Sequence, residues 1–351
     1  MKKISIILVL TFIVSFVAES NTKIDVNENI YSSTLTEKYI KELRLIWSNL
    51  YQKQLKLSNK ELETISIIEN YADQTNDKEL YYALGVVQMN IPNSVKALKW
   101  MTWAANNNHL PALHNLGWWY DHGFGHIIED NDKAIEYYHK AFWELGLARS
   151  GSRLAEIYLN GDGVNKNKNY AKEIYSKILK DKEILSIEEY DIILAEYKLG
   201  HIFRYSIPEE QDLDKSLIHF LSAASKGHEQ SMVEAGQLFR QKFRSTNNEE
   251  YNDYAEEIYL LAIERGNTDA MVYLSTLYYE KYAKGIKVDI NHYKHLSWMY
   301  AAYKIGVKNK DLIDNVTLFV NTKIEKDEEL LTLLNKQTDD CIKKNFKDCF
   351  K

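Results

Sequence analysis

The chain has 351 residues, of which 45% are hydrophobic and 27% charged, a composition typical of folded rather than disordered proteins. Its formal net charge of -6 excludes a strongly basic footprint, and we expect no nucleic-acid partner. Only 3 residues are proline in a chain long enough for two ordinary domains or one elongated array, which favours long helices.

The first segment, residues 1–20, has the pattern of a secretory signal peptide. Two lysines precede an uncharged apolar run over residues 4–17, and Ala18 and Ser20 are small residues at positions -3 and -1 of a cut before Asn21. The alternative is an uncleaved anchor, but the run is shorter than the roughly 20 residues that span a bilayer. We therefore predict a cleaved leader, a mature protein without a membrane span, and a periplasmic or secreted location.

The segment 21–79 is predicted to contain a disordered start and an N-terminal helical cap. Residues 21–33 lack an apolar pattern, and we expect them to be disordered. Residues 37–51 and 61–71 have apolar side chains at helical spacing, so they are predicted to form two helices.

A repeated pattern follows from residue 80 to residue 306. In its clearest unit, Leu116-Gly117 and Tyr120 begin a first helical half, a Gly-x-Gly turn follows, and Lys133-Ala134 begins a second half. Six such units can be aligned on the small residue that begins each second half. These residues are Ala97, Ala134, Ala171, Ser216, Ala255 and, less well matched, His295.

Glycine in the first half of a unit points to close helix packing. Gly85, Gly117, Gly200 and Gly236 occupy one register inside a helical pattern, where each glycine costs about 1 kcal/mol relative to alanine. A cost repeated at one register indicates close approach of a second helix. Other glycines are predicted to end the second helices: Gly146, Gly227, Gly266 and Gly306.

This pattern resembles the Sel1-like repeat, an αα-hairpin related to the tetratricopeptide repeat, of the type found in exported bacterial proteins. The resemblance implies an all-α, right-handed α-solenoid of about six hairpins over 80–306, with a C-terminal helical cap over 307–351. It also implies a module that binds a protein partner on its concave face. Such a partner would be an envelope protein or, if the chain is an immunity protein, a cognate toxin such as a phospholipase effector.

Alignment of the first helices separates core positions from surface positions. The second residue after the aligned glycine is apolar in every unit and is predicted to be buried, whereas the first is of mixed polarity. We predict that this mixed line and its helical neighbours face the partner, although an ordinary solvated face is an alternative. The predicted partner-binding residues are His114, Trp118, Asp121, His122, Tyr197, His201, Arg204, Gln237, Arg240 and Tyr279.

The cysteines are predicted to form a disulfide bond. Cys341 and Cys349 are an even, closely spaced pair in a chain that we expect to be exported. Eight residues of continuous helix would separate them by about 12 Å, which is too far to bridge. The bond therefore requires the chain to turn near Asn345.

We predict no enzyme activity and no cofactor. The sequence lacks the common nucleophile, metalloprotease, P-loop and dinucleotide motifs. The alternative is a metal-dependent enzyme that uses the histidine-rich second unit, because His122 and His126 have the spacing of metal ligands on a helix. Gly123 and Gly125 make a regular helix there doubtful.

Overall fold

A computed structural model describes residues 35–52, 57–89, 96–124, 127–180, 188–207, 210–285, 288–346 and 349–350. The predicted leader, the predicted disordered start and His126 lie outside these ranges. The described residues form 16 α-helices and no strand, as an all-α fold requires. None of these helices combines the length and the apolar content needed to cross a membrane.

The described chain forms two compact units, one ending at Ala195 and one beginning at Glu196. The sequence did not predict this division, which falls inside helix α9. The helices of the first unit are α1 (Leu35–Gln52), α2 (Asn59–Thr75), α3 (Lys78–Met89), α4 (Lys96–Asn106), α5 (Leu110–His122), α6 (Asn131–His139), α7 (Ala148–Asn160), α8 (Lys168–Lys180) and the start of α9 (Glu189–Arg204).

The second unit continues from Glu196 in the middle of α9. Its further helices are α10 (Leu213–Ser225), α11 (Glu229–Thr246), α12 (Glu250–Glu264), α13 (Asp269–Ala283), α14 (Val288–Ile305), α15 (Lys310–Lys323) and α16 (Glu328–Lys343). The predicted repeats correspond to six hairpins, from α3–α4 to α13–α14. In each hairpin we call the odd-numbered helix the first helix and the even-numbered helix the second helix.

The aligned glycines lie where the two helices of a hairpin approach most closely. A Cβ added at Gly117 would lie 2.6 Å from the Tyr138 ring, one at Gly200 2.6 Å from the Phe220 ring, and one at Gly236 2.4 Å from the Tyr259 ring. The close approach predicted from the glycine register is therefore confirmed. Gly151, which does not fit the repeat pattern, lies at a close contact between consecutive hairpins: its Cβ would lie 2.5 Å from the Phe142 ring, in the π-helical turn that extends α6.

The predicted core position of the first helices is buried in every hairpin. Its exposed fraction is at most 7%, and the residues are Val87, Trp119, Ile157, Ile202, Leu238 and Leu277. The position before it is buried in none of them. Each hairpin thus buries its apolar stripe against neighbouring helices, which it could not do alone.

Helix ends are set by caps that the sequence pattern reveals only in part. The four glycines predicted to end second helices have positive φ, as expected for left-handed residues. Asp130 and Asp212 cap α6 and α10 with side-chain oxygens. Two caps were not predicted: His109 and His228 accept backbone N–H bonds at the starts of α5 and α11 through Nδ1.

The C-terminal segment folds back on α16, as the predicted disulfide requires. Cys341 and Cys349 are bonded, with their Cα atoms 5.6 Å apart, and Asn345 and Phe346 have positive φ at the turn between them. The ring of Phe350 is buried and meets that of Trp298 edge-on, with centroids 4.9 Å apart. The predicted turn near Asn345 is confirmed.

Candidate partner-binding surface

The structure divides the predicted partner-binding residues into paired and exposed side chains. Asp121, Arg204 and Arg240 each lie four residues after an aligned glycine, and each forms an ion pair with the next first helix. We call these ion pairs clasps. Trp118 and Tyr279 remain 36% and 49% exposed.

The clasp of the first unit joins α5 to α7. Arg153 donates Nη2 to Asp121 at 2.7 Å and Nη1 to Glu156 at 2.7 Å, while the hydroxyl of Tyr138 donates to Asp121 at 3.4 Å. Burial acts to lower the pKa of Arg153, but the hydrogen bond to Asp121 and the negative charges of Asp121 and Glu156 together outweigh burial and raise that pKa. The guanidinium therefore stays charged between two carboxylates.

The first clasp of the second unit has a more deeply buried arginine than the clasp of the first unit. Arg204 donates to Glu234 and, at 3.0 Å, to the Gln237 side chain. The side chains of Arg204 and Glu234 are 13% and 10% exposed, compared with 35% for Arg153. Burial raises the pKa of Glu234, against the opposite effect of Arg204.

The last clasp joins α11 to α13 through two arginines. Arg240 and Arg244 donate to the same Glu280 oxygen, at 2.6 Å and 2.5 Å. Burial acts to raise the pKa of Glu280, but the two arginines outweigh it and lower that pKa. Three predicted partner-binding residues therefore also hold consecutive first helices together, which a single sequence does not reveal.

Histidines on the predicted line are largely withdrawn from water. Nδ1 of His114 lies 3.0 Å from the hydroxyl of buried Ser150 on α7. His201 lies against the rings of Tyr197 and Phe220, at 4.5 Å and 5.1 Å between centroids. Burial lowers the pKa of His114 and of His201 to about 4, so both are neutral at pH 7.

Three rings at the end of α5 form what we call the α5 aromatic patch. The Trp118 indole stacks on the His122 imidazole at 4.6 Å and touches the Phe124 ring at 5.1 Å between centroids. Phe124 is 38% exposed, and the His122 side chain is 42% exposed. Phe124 was not predicted, because it follows Gly123, where α5 ends in a left-handed turn.

The histidine-rich second hairpin, α5–α6, uses its described histidines for packing and capping. His109 is buried, caps α5 and pairs with Glu79 at 3.1 Å, and His122 stacks on Trp118. Because α5 ends at His122, the helical spacing proposed for His122 and His126 is not available. Over the described ranges, no three His, Cys, Asp or Glu side chains are grouped as metal ligands.

Comparison with known proteins identifies the repeat. The Sel1 repeat family matches residues 80–109, 110–142, 152–179 and 193–228, the first four of the six hairpins. No curated protein sequence is significantly similar to the chain.

Two solved structures with this fold are similar to the chain. One is a protective antigen of uropathogenic Escherichia coli strains displaying an SLR fold, with 21% identity, a TM-score of 0.56 and 86% of this chain covered. The chain spans 63% of the length of that protein. A Sel1 repeat protein from Oxalobacter formigenes has 20% identity and a TM-score of 0.46, and the match covers 77% of this chain and 100% of that one.

Proposed function

This chain carries Sel1 repeats, and from that premise we propose that it is an exported protein–protein interaction module without chemistry of its own. Sel1 repeats typically mediate protein–protein interaction, and proteins of this fold are generally non-enzymatic scaffolds. The observation that carries the proposal is that two large aromatic side chains on first helices, Trp118 and Tyr279, remain exposed to water. Exposed, well-supported aromatic rings are the usual anchors of protein interfaces.

Site-specific photocrosslinking tests this proposal in cells. A photoreactive residue is placed at position 118 or 279 of the full chain, and at Ile218, which is 65% exposed on the second helix α10, as the matched control. We expect a discrete crosslinked partner protein from position 118 or 279 and none from position 218. The proposal fails if the first-helix positions capture no protein, or only what position 218 captures.

Export is the second part of the proposal. It is supported by the leader pattern of residues 1–20 and by the Cys341–Cys349 bond, because disulfides persist mainly in oxidising compartments. We expect the mature protein in the periplasmic or secreted fraction to begin at Asn21. N-terminal sequencing of the fractionated protein measures this, and an intact leader on the cellular protein would contradict it.

Immunity against an envelope-acting toxin is a narrower form of the same proposal. The acidic net charge of -6 favours a basic partner, as electrostatic complementarity would require. A toxin gene beside the gene for this chain would support this form. Co-expression should then restore growth of cells that export the toxin, and unchanged killing would exclude it.

A metal-dependent enzyme is the alternative from another class. His109 and His122 of the histidine-rich hairpin α5–α6 already have structural contacts, which weighs against this alternative. Metal analysis of the purified full chain decides the matter. Stoichiometric zinc that is lost in His122→Ala would favour the enzyme over the binding module.

A further inference from the structure

The α5 aromatic patch lacks a cation of the kind that covers two other tryptophans of the first unit. Lys99 lies over the Trp100 ring, with Nζ 4.5 Å from its centroid, and Lys177 lies over the Trp143 ring at 5.4 Å. Among the described residues, no lysine or arginine lies over the more exposed ring of Trp118. Two tryptophans of the first unit thus have a lysine over the ring, the contact that a partner's lysine or arginine could make with the exposed Trp118.

Acidic residues lie beside the patch and follow it in the chain. Asp121 lies beside it, with a carboxylate oxygen 3.5 Å from Nδ1 of His122, and Glu156 shares Arg153 with Asp121. Further along the chain lies a second acidic segment, of which Glu129 and Asp132 are exposed. The end of α5, the start of α6 and the ion pairs of Arg153 therefore hold five acids and two bases: Asp121, Glu129, Asp130, Asp132 and Glu156 with Lys133 and Arg153.

The rings of the patch are held in place before any ligand arrives. His122 is hydrogen-bonded to the Trp118 carbonyl oxygen at 3.1 Å, one helical turn away, and its ring stacks on the indole. The N–H of Phe124 donates to the Trp119 carbonyl oxygen at 3.0 Å, which fixes the turn that carries the phenyl ring. A preformed surface loses little conformational entropy on binding.

We infer that the α5 aromatic patch binds a basic segment of a partner protein, with a lysine or arginine side chain over the Trp118 indole. This inference rests on the proposed binding function and adds the chemistry of the partner. The aliphatic stem of the bound side chain covers Phe124, and its charge faces the acidic residues. An acidic segment would meet repulsion there and bind more weakly.

Fluorescence anisotropy with two defined peptides tests the inference. The probes are a fluorescein-labelled peptide of four Lys-Leu-Ser-Lys repeats and its counterpart with glutamate at every lysine position. We expect saturable binding of the lysine peptide to the full mature chain and at least tenfold weaker binding of the glutamate peptide. Equal binding of both peptides, or no binding of the lysine peptide, would overturn the inference.

Variants locate the binding. Trp118→Ala with Phe124→Ala should weaken lysine-peptide binding about tenfold, as loss of an aromatic hot spot does. Tyr190→Ala removes a 68% exposed ring elsewhere in the first unit and should change binding less than twofold. Glu129→Gln with Asp132→Asn should weaken binding about threefold and flatten its salt dependence. Unaltered binding in the Trp118→Ala/Phe124→Ala variant, with circular dichroism as for the wild type, overturns the inference.

The photocrosslinking experiment separates this inference from the broader proposal. A partner captured from position 118 whose contact segment is acidic or uncharged overturns the inference and leaves the binding function intact. Absence of any captured partner defeats the binding function, whatever the synthetic peptides do.

Discussion

The two units place opposite charges at one position of the same repeat. Four residues after the aligned glycine, the first unit has Asp121, whereas the second has Arg204 and Arg240. Either charge finds its counterpart on the next first helix, although Arg204 is more deeply buried than Arg153. Exposed rings lie next to the clasps of both units, Trp118 in the first and Tyr205 and Tyr279 in the second. One hairpin geometry therefore accommodates an ion pair of either sense between consecutive first helices, with exposed aromatic rings beside it.

Removal of one acid from each unit should separate the two kinds of clasp most clearly. Glu234→Ala leaves Arg204 buried with only Gln237, so we expect a loss of about 3 kcal/mol in the free energy of unfolding. Asp121→Ala leaves Arg153 partly exposed and still paired with Glu156, and should cost only about 1 kcal/mol. Urea denaturation measures both values.

A charge exchange provides the control for the clasp experiment. Arg204→Glu with Glu234→Arg should recover part of the stability that Glu234→Ala loses, because the pair is re-formed in the opposite sense. Equal losses for Glu234→Ala and Asp121→Ala would show that burial does not distinguish the two units.

The aligned glycines offer a second contrast. Gly236→Ala would place a Cβ 2.4 Å from the buried Tyr259 ring and should cost about 2–3 kcal/mol through overpacking. At Gly85 the contacts are looser: the added Cβ would lie 3.1 Å from the flexible Met101 Cε and 3.3 Å from the Met101 backbone nitrogen. There the gain of about 1 kcal/mol in helix propensity should offset the contact, so that Gly85→Ala changes stability little. A large loss at Gly85 in urea denaturation would contradict this explanation.

Reduction should destabilise the second unit alone, because both cysteines lie in it. Loss of the Cys341–Cys349 bond should lower the free energy of unfolding by about 2 kcal/mol, because the unfolded chain without the bond has more conformational entropy. Urea unfolding with and without dithiothreitol measures the difference. Cys341→Ser with Cys349→Ser is the control, and dithiothreitol should have no effect on this variant.

Mild acid should weaken the second unit more than the first. Burial lowers the pKa of His201 and His295 in the second unit, and of His114 in the first, to about 4. Between pH 6.5 and 4 these histidines bind protons in the unfolded chain but not in the folded one. Their contribution to the free energy of unfolding is therefore fully present above pH 6.5 and is lost as the pH decreases toward 4. When the pH is lowered from 7 to 5.5, each histidine should reduce the free energy of unfolding by about 1 kcal/mol.

The pH effect is measured as the slope of unfolding free energy against pH. His201→Gln should reduce the slope by about one third of the total assigned to the three histidines. A slope that His201→Gln leaves intact would show that another group titrates.

Local sequence patterns predicted the hairpins, the glycine contacts and the buried line from Val87 to Leu277, because these depend on helical spacing within one repeat. The turn near Asn345 followed from the reach of a disulfide. The clasps could not be predicted, because they join residues about 30 to 40 positions apart whose directions depend on how neighbouring helices pack. For the same reason the sequence marked Asp121, Arg204 and Arg240 as surface candidates without indicating their ion pairs.

The α5 aromatic patch was predicted only in part. Trp118 and His122 follow from the alignment of first helices, and their role in partner binding stays a prediction. Phe124 joins them only because the left-handed Gly123 turns the chain back beside the helix. The histidine caps were also missed, since histidine is not among the residues that normally indicate a helix start.

The contact between Phe350 and Trp298 has a practical consequence for spectroscopy. Trp298 is the only one of the 7 tryptophans that falls within the second unit. If the other six are replaced by phenylalanine, the remaining indole becomes a local optical reporter. Its fluorescence emission would report the docking of Phe350 in real time, without a tryptophan signal from the first unit.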